Sequence, residues 1–215
     1  MTVVRQRSGR VATTAAATVV ALVALLAATI SPTWAWVTTA PAGGPVNFVG
    51  TNIKFTDIQA NQTFSCTTFS PSGTVSVPAG TNAAYGASVA NLTTVTSSGC
   101  ANPIGGGCPI LAPTTWGFVL TGPPTGDVWP ARFTNVKLVV ACGGCSFTME
   151  GVINGRFDRG VASPTYQRFT PVTGPSGLVV SASPAPSGFV CTVLDIQAGD
   201  DIEVGGYWTN TGTPI

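Results

Sequence analysis

Between residues 134 and 152 apolar side chains alternate with polar ones, and the alternation changes parity once. Before the glycines the even positions Val136, Leu138, Val140 and Cys142 are apolar; after them the odd positions Cys145, Phe147 and Met149 are, with Ser146, Thr148 and Glu150 between. A two-residue turn at Gly143-Gly144 requires that switch, because it sets 142 opposite 145, 140 opposite 147 and 138 opposite 149 on one face. The pattern predicts a β-hairpin with one buried face and Glu150 on the solvated one. Its second strand is expected to run on towards Phe157.

The same period recurs elsewhere. Residues 46–55 alternate through Val49, Thr51, Ile53 and Phe55, and 115–121 carry Trp116, Phe118 and Leu120 on one face. Shorter runs at 64–67, 74–77, 87–96, 177–183, 188–196 and 201–209 read as strands between turn signals, among them Ser70-Pro71-Ser72-Gly73 and Pro78-Ala79-Gly80. No stretch beyond the first thirty residues has helical periodicity free of Gly, Pro and β-branched clusters. About ten short strands in one chain of this size predict an all-β fold, an antiparallel β-sandwich of Greek-key or jelly-roll path.

The amino terminus departs from this pattern. Arg5, Arg7 and Arg10 precede an uncharged run, 11–30, and then Ser31-Pro32. A basic region, an apolar region and small residues at Thr33-Trp34-Ala35 spell a secretory signal peptide, with cleavage after Ala35 or, second, after Ala42. The competing reading is a retained membrane anchor, since twenty uncharged residues could span a bilayer; Ala and Thr dilute the run and Pro32 follows it. The expected organisation is therefore a signal peptide at 1–35, a flexible Pro/Gly-rich lead-in at 36–45 and one β-sandwich domain at 46–215. Removing the three arginines takes the nine basic residues to six against eight acidic, a net charge of −2. No basic patch remains for a phosphate backbone, which argues against nucleic acid. Charged residues make up 8% of the chain, against roughly 25% in ordinary globular proteins. Thr, Ser, Asn and Gly must supply the surface polarity, as suits an extracellular or cell-surface protein.

Six cysteines, Cys66, Cys100, Cys108, Cys142, Cys145 and Cys191, follow the leader. An even number in an exported chain implies three disulfides, and spacing alone leaves the connectivity open. Cys142-Gly143-Gly144-Cys145 is formally a CxxC, but it continues as strand rather than opening a helix, and with no histidine in the chain a zinc site lacks further ligands. Bonding 142 to 145 across so tight a turn would be strained, so each is expected to reach a different partner.

Ser65-Cys66-Thr67, Ser98-Gly99-Cys100, Gly144-Cys145-Ser146, the late Cys191 and the Ala198-Gly199-Asp200 turn before a terminal aromatic strand together resemble a group of small secreted actinobacterial β-sandwich proteins of unassigned function. The resemblance implies pairs Cys66–Cys100 and Cys145–Cys191, with Cys108 and Cys142, which depart from that group's pattern, left to each other. It transfers no catalytic residue.

Candidate chemistry is thin. Without histidine, Ser-His-Asp and Cys-His devices are excluded, and acid–base work would rest on Asp57, Asp127, Glu150, Asp158, Asp195, Asp200, Asp201 and Glu203. A glycosidase needs two carboxylates across a cleft, whereas most of these sit in turn-like sequence. Asp195, Asp200, Asp201 and Glu203 crowd one turn and are weak calcium candidates; their spacing fits no established calcium loop, and a solvated turn is the favoured reading. Trp129, in a Pro/Gly-rich loop, and Tyr207 are the candidate ligand-stacking residues; Tyr207 and Trp208 must point to opposite faces of a strand, so one of them enters the core. Trp116 and Tyr166 are assigned to packing. No cofactor is expected.

The expectation is thus a secreted, non-catalytic extracellular or cell-envelope protein acting by surface binding, on cell-wall polysaccharide or another extracellular protein. The alternative is a carboxylate-based glycoside hydrolase or carbohydrate-binding module. Membrane contact is expected only through an uncleaved leader. Amino-terminal sequencing of protein recovered from culture medium should begin at Trp36 or Gly43; recovery only in membranes with residues 1–35 intact would make the segment an anchor.

Overall fold

A computed structural model describes residues 35–37, 42–78, 80–160 and 167–215. Most of the leader, including its arginines and apolar run, and Tyr166 lie outside the described residues. In chain order the elements are β1 (Ala35–Val37), β2 (Pro45–Asp57), β3 (Gln62–Ser65), β4 (Thr68–Val75), β5 (Asn82–Ala84), β6 (Ser88–Ser98), β7 (Ala101–Asn102), β8 (Gly106–Gly107), β9 (Ile110–Leu111), β10 (Trp116–Leu120), β11 (Val128–Cys142), β12 (Cys145–Asp158), β13 (Gln167–Pro171), β14 (Pro175–Val180), a short helix α1 (Phe189–Val193) and β15 (Asp201–Asn210). β1 pairs with β5 in a two-stranded sheet of their own.

The hairpin forms with the register its alternation requires: Cys142 faces Cys145, Val140 faces Phe147 and Leu138 faces Met149, and all six are buried. Gly143 and Gly144 both take positive φ, 29° and 105°, the backbone sign that a tight turn matching strand twist demands and that glycine alone adopts freely. Nearer the start of β11 the pairing slips by one residue between Phe133 and Val136, with Asn135 at φ 55°. This bulge moves the buried set from Ala131 and Phe133 to Val136, Leu138 and Val140.

Each long strand lies antiparallel to the next long strand in the chain: β2 with β4, β4 with β6, β6 with β10, β10 with β11 and β11 with β12. β13 and β14 lie end to end as one stave between β12 and β15. β15 then pairs with β2, from Ile202 opposite Asp57 to Asn210 opposite Phe48. The sheet therefore closes into an all-antiparallel meander barrel of eight staves among the described residues. This corrects the expected Greek-key or jelly-roll sandwich: alternation reveals which face of a strand is buried, and that is the same for a sandwich and a barrel, whereas the pairing of the first long strand with the last has no local signature.

Aromatic rings fill the barrel. Phe48, Phe118, Phe133, Phe157, Phe169 and Trp208 are fully buried and pack at centroid separations of 5.0 Å for Phe48 and Phe118, 4.5 Å for Phe133 and Phe169, and 5.4 Å for Phe133 and Trp208. Most pairs are tilted or edge-to-face, the arrangement that ring quadrupoles favour by about 0.5–1.5 kcal/mol beyond burial alone. Trp208 also donates from Nε1 to the Phe69 carbonyl at 3.0 Å. It bridges β15 to β4 across the stretch where β2, paired with β4 only at Pro45, Val46 and Asn47, has diverged.

Three further expectations change. In β2 Val46 and Phe48 are buried and Val49 is exposed, while Ile53, Phe55 and Asp57 are buried; the inward parity switches at a bulge where Asn52 takes φ 53°. The Ser70-Pro71-Ser72-Gly73 turn signal lies inside β4, with Pro71 opposite Val95 of β6; this stave flanks the diverging β2, whose ladder with β4 stops at Ser72. The run 188–196 is not a strand: it holds α1, and Cys191 and Leu194, three apart, are its buried side chains together with Ile196. That spacing is helical rather than alternating.

The two ends of the barrel are secured differently. Disulfides Cys66–Cys100, Cys108–Cys142 and Cys145–Cys191 all lie at the end that carries the Gly143-Gly144 turn and the long connections, and they pair as the resemblance implied. At the other end the Gln167 side chain acts as a second backbone: its Oε1 accepts from the Ile215 N–H at 2.8 Å and its Nε2 donates to the Ile215 carbonyl at 2.9 Å. Asn210 Nδ2 joins at Gln167 Oε1, 2.9 Å, and at the Thr213 carbonyl, 2.8 Å.

Closure depends on Gly206. It sits at φ 90°, and a Cβ there would lie 2.5 Å from the carbonyl oxygens of both Thr51 and Asn52. Gly206→Ala is expected to lower the unfolding free energy by more than about 2 kcal/mol, the strained backbone and the clash adding; Gly205→Ala, where the nearest atom to a new Cβ is Lys54 Cβ at 3.7 Å, should cost less. Parallel urea titrations of the two variants test the difference.

Candidate functional site

The chemistry-bearing groups of a chain without histidine are its carboxylates, and the fold gives each a separate place. Asp158 accepts from the Gly160 N–H at 2.8 Å. Glu150, on the outer face of the hairpin as expected, is half-buried and accepts from Ser181 Oγ at 2.7 Å. Glu203 accepts from the Gly174 N–H at 2.9 Å, which places it at the β13–β14 connection. Around the 194–201 turn, Asp195 accepts from Gln197 Nε2 at 2.9 Å, Asp200 from the Gln197 N–H at 2.8 Å, and Asp201 from Gln59 Nε2 at 3.2 Å while its own N–H donates to Gln59 Oε1 at 2.8 Å. Of the four calcium candidates, Asp195 and Asp200 are held by Gln197, Asp201 by Gln59 and Glu203 by Gly174, so each carboxylate is committed to a donor within the chain. Among the described residues no group of three or more acidic or thiol side chains is placed to hold a metal ion.

The exception to this dispersal is Asp57. At the end of β2 it continues the inward parity of Ile53 and Phe55 and has no exposed surface. Its Oδ1 accepts from the Ala60 N–H at 2.9 Å, closing the β2–β3 turn. Its Oδ2 is buried with no donor. The Asp200 carboxyl is the neighbouring group that acts on it. Burial, first, and then the charge and hydrogen bond of Asp200 raise the Asp57 pKa from 3.8 to about 6, against the opposing N–H groups of Ala60 and Gln59. A glycosidase pair flanks an open cleft, whereas Asp57 offers no surface to a substrate.

The candidate stacking residues are occupied by arginines. Trp129 lies in β11 opposite Phe157 rather than in a loop. It is half-buried against the core, its Nε1 is buried without an acceptor, and the Arg159 guanidinium lies 5.3 Å from the ring centroid. Tyr207 is the outward member of its pair and Trp208 the buried one; Arg168 lies 4.3 Å from the centroid of the Tyr207 ring. Both ring faces are thereby engaged by cations of the same chain.

Two surface features were not anticipated from the sequence. At the disulfide end Phe189, Leu111 and Ile104 are 80%, 66% and 61% exposed, and Val193 is exposed beside them on α1. The helical spacing of Cys191 and Leu194 was the available signal, since on a helix it turns Phe189 and Val193 outward. Near the opposite end a groove of about 470 Å³ runs between Pro123, Thr125, Val128, Pro130 and Arg156. Arg156 stands opposite Pro130 in the β11–β12 ladder, which fixes a cation on its wall.

The chain matches no protein family, no curated protein and no solved structure.

The Asp57 pair makes stability depend on pH. With a folded pKa of about 6 above an unfolded value near 3.8, the folded state holds the proton more tightly. The stabilisation is then complete below pH 4 and is lost as pH rises through 6, amounting to at most about 3 kcal/mol. Asp57→Asn keeps the acceptor for Ala60 and gives Asp200 a donor. The variant should be more stable than the parent at pH 7.5 and lose the decline between pH 4 and 7, read from urea midpoints across that range.

Proposed function

We propose that this is a non-catalytic, secreted or envelope-associated protein that works by presenting a rigid surface to a binding partner. The observation that carries the reading is the state of its interior: aromatic rings occupy the barrel that in other eight-stave proteins can hold a small ligand, so the contacts left for a partner are on the outside. Three disulfides suit an oxidising compartment, and among the described residues no helix is long and apolar enough to cross a membrane. Seven of the eight carboxylates accept hydrogen bonds within the chain and one of these, Asp57, is buried, which supports a reading without acid–base chemistry. The glycosidase reading would need Asp57 to open to solvent.

Because Trp129 and Tyr207 are half-buried beneath arginines, the favoured contact surface is the apolar disulfide end, with Phe189 as its most exposed side chain. Retention assays on cell-wall and polysaccharide fractions and on extracellular proteins, run beside a glycosidase panel, test both readings. Retention should fall at least tenfold in Phe189→Ser with the barrel intact. Turnover of any glycoside that disappears in Asp57→Asn and Asp200→Asn would refute the non-catalytic reading.

A further inference from the structure

We infer that copies of this protein associate head to tail, the apolar disulfide end of one barrel seating Phe189 in the Pro123, Val128 and Pro130 groove of the next. The inference rests on the surface-binding reading and names its partner as a second copy of the chain.

Apolar exposure is gathered rather than scattered. Of the exposed large apolar residues among those described, Ile58, Ile104, Leu111, Phe189 and Val193 belong to the disulfide end, and Val49 and Val179 to the wall. Phe189 and Val193 lie one helical turn apart on α1, hence on one face. The loop bearing Ile104 packs against the same helix and hairpin tip: a Cβ on Gly105 would lie 3.6 Å from Leu194 Cδ1 and 3.2 Å from Cys142 Cβ. Apolar exposure concentrated at one end marks an interaction surface, whereas single scattered side chains do not.

Charge selects the occupant. From residue 35 onward, leaving out the fully buried Asp57, the disulfide half carries Glu150, Asp195, Asp200, Asp201 and Glu203 against Lys54 and Lys137; the opposite half carries Arg132, Arg156, Arg159 and Arg168 against Asp127 and Asp158. The barrel is thus acidic at its apolar end and basic at its groove end. Two apolar ends meeting would set carboxylates against carboxylates, and an anionic lipid surface would meet the same repulsion. The groove end offers what the tip lacks: two proline rings and Val128 as a seat for an aromatic side chain, with the Arg156 guanidinium at its edge to meet the carboxylates beyond Val193, Asp195 first. Because the joined surfaces are at opposite ends, the contact is heterologous and repeats.

Sedimentation velocity on disulfide-intact protein expressed from the full chain tests this. The weight-average mass should rise with concentration at low salt and rise less at high salt. Phe189→Ser and Arg156→Glu should each weaken association at least tenfold. Their mixture should form a two-copy species and no larger one, because each variant retains the half the other has lost. A monomer at every concentration would overturn the inference, as would Phe189-dependent association untouched by Arg156→Glu, which would mean contact between like ends. Flotation with vesicles of mixed zwitterionic and anionic lipid that removes Phe189-bearing monomer would overturn it in favour of a membrane. Near-ultraviolet circular dichroism of each variant excludes misfolding as the cause of lost association. Monomeric behaviour leaves retention on a polymer intact, and glycoside turnover leaves sedimentation unchanged, so this inference and the surface-binding reading fail separately.

Discussion

The structure depends on the pairing of β15 with β2. Without it the meander would be an open sheet with two edges and one greasy face, and the rings of Phe48, Phe118, Phe133, Phe157, Phe169 and Trp208 would have nothing to pack around. With it they become the filling of a closed cylinder. The contact joins residues about 150 positions apart, so its entropic cost falls late in assembly. The Trp208 bond to Phe69 and the pinching of Ile215 by Gln167 hold the seam once it is made. The surface-binding proposal rests on the same constraint, because the described aromatic rings fill the barrel.

What could be read from the chain alone divides along this line. The hairpin register at Gly143-Gly144 was fully legible, since parity on either side of a two-residue turn is local information. So were the buried face of 116–120 and the opposition of Tyr207 to Trp208, though not which of the two turns inward. Bulges were not: Asn52 and Asn135 each add one residue to a strand and exchange its faces, and an asparagine among threonines and valines looks like any other polar position. The sandwich expectation failed because closure is a relation between termini. The 188–196 run failed because it was assigned a strand's period, although its cysteine and leucine are three apart.

The candidate site shows the same limit. All eight carboxylates were visible as possible acids, and the inward parity of Ile53 and Phe55 already pointed Asp57 at the core. Nothing local says that Asp57 meets Asp200, 143 positions later; only the β2–β15 ladder brings them together. Trp129 was judged by the composition of its surroundings and Tyr207 by strand alternation, and neither signal aligns them with the cations that lie over them, Arg159 and Arg168. Sparse charge makes these placements matter more, because a single carboxylate or guanidinium changes the field of a whole end.

The hairpin tip carries one more consequence. Cys142 and Cys145 flank a two-residue turn, yet one is tied to the loop that bears Ile104 and the other to the helix that bears Phe189. Both flaps of the cap hang from the same four residues, as two doors hang from one post. One hairpin tip therefore sets the position of both sides of the cap, while the far mouth is held by an amide clamp that contains no sulfur.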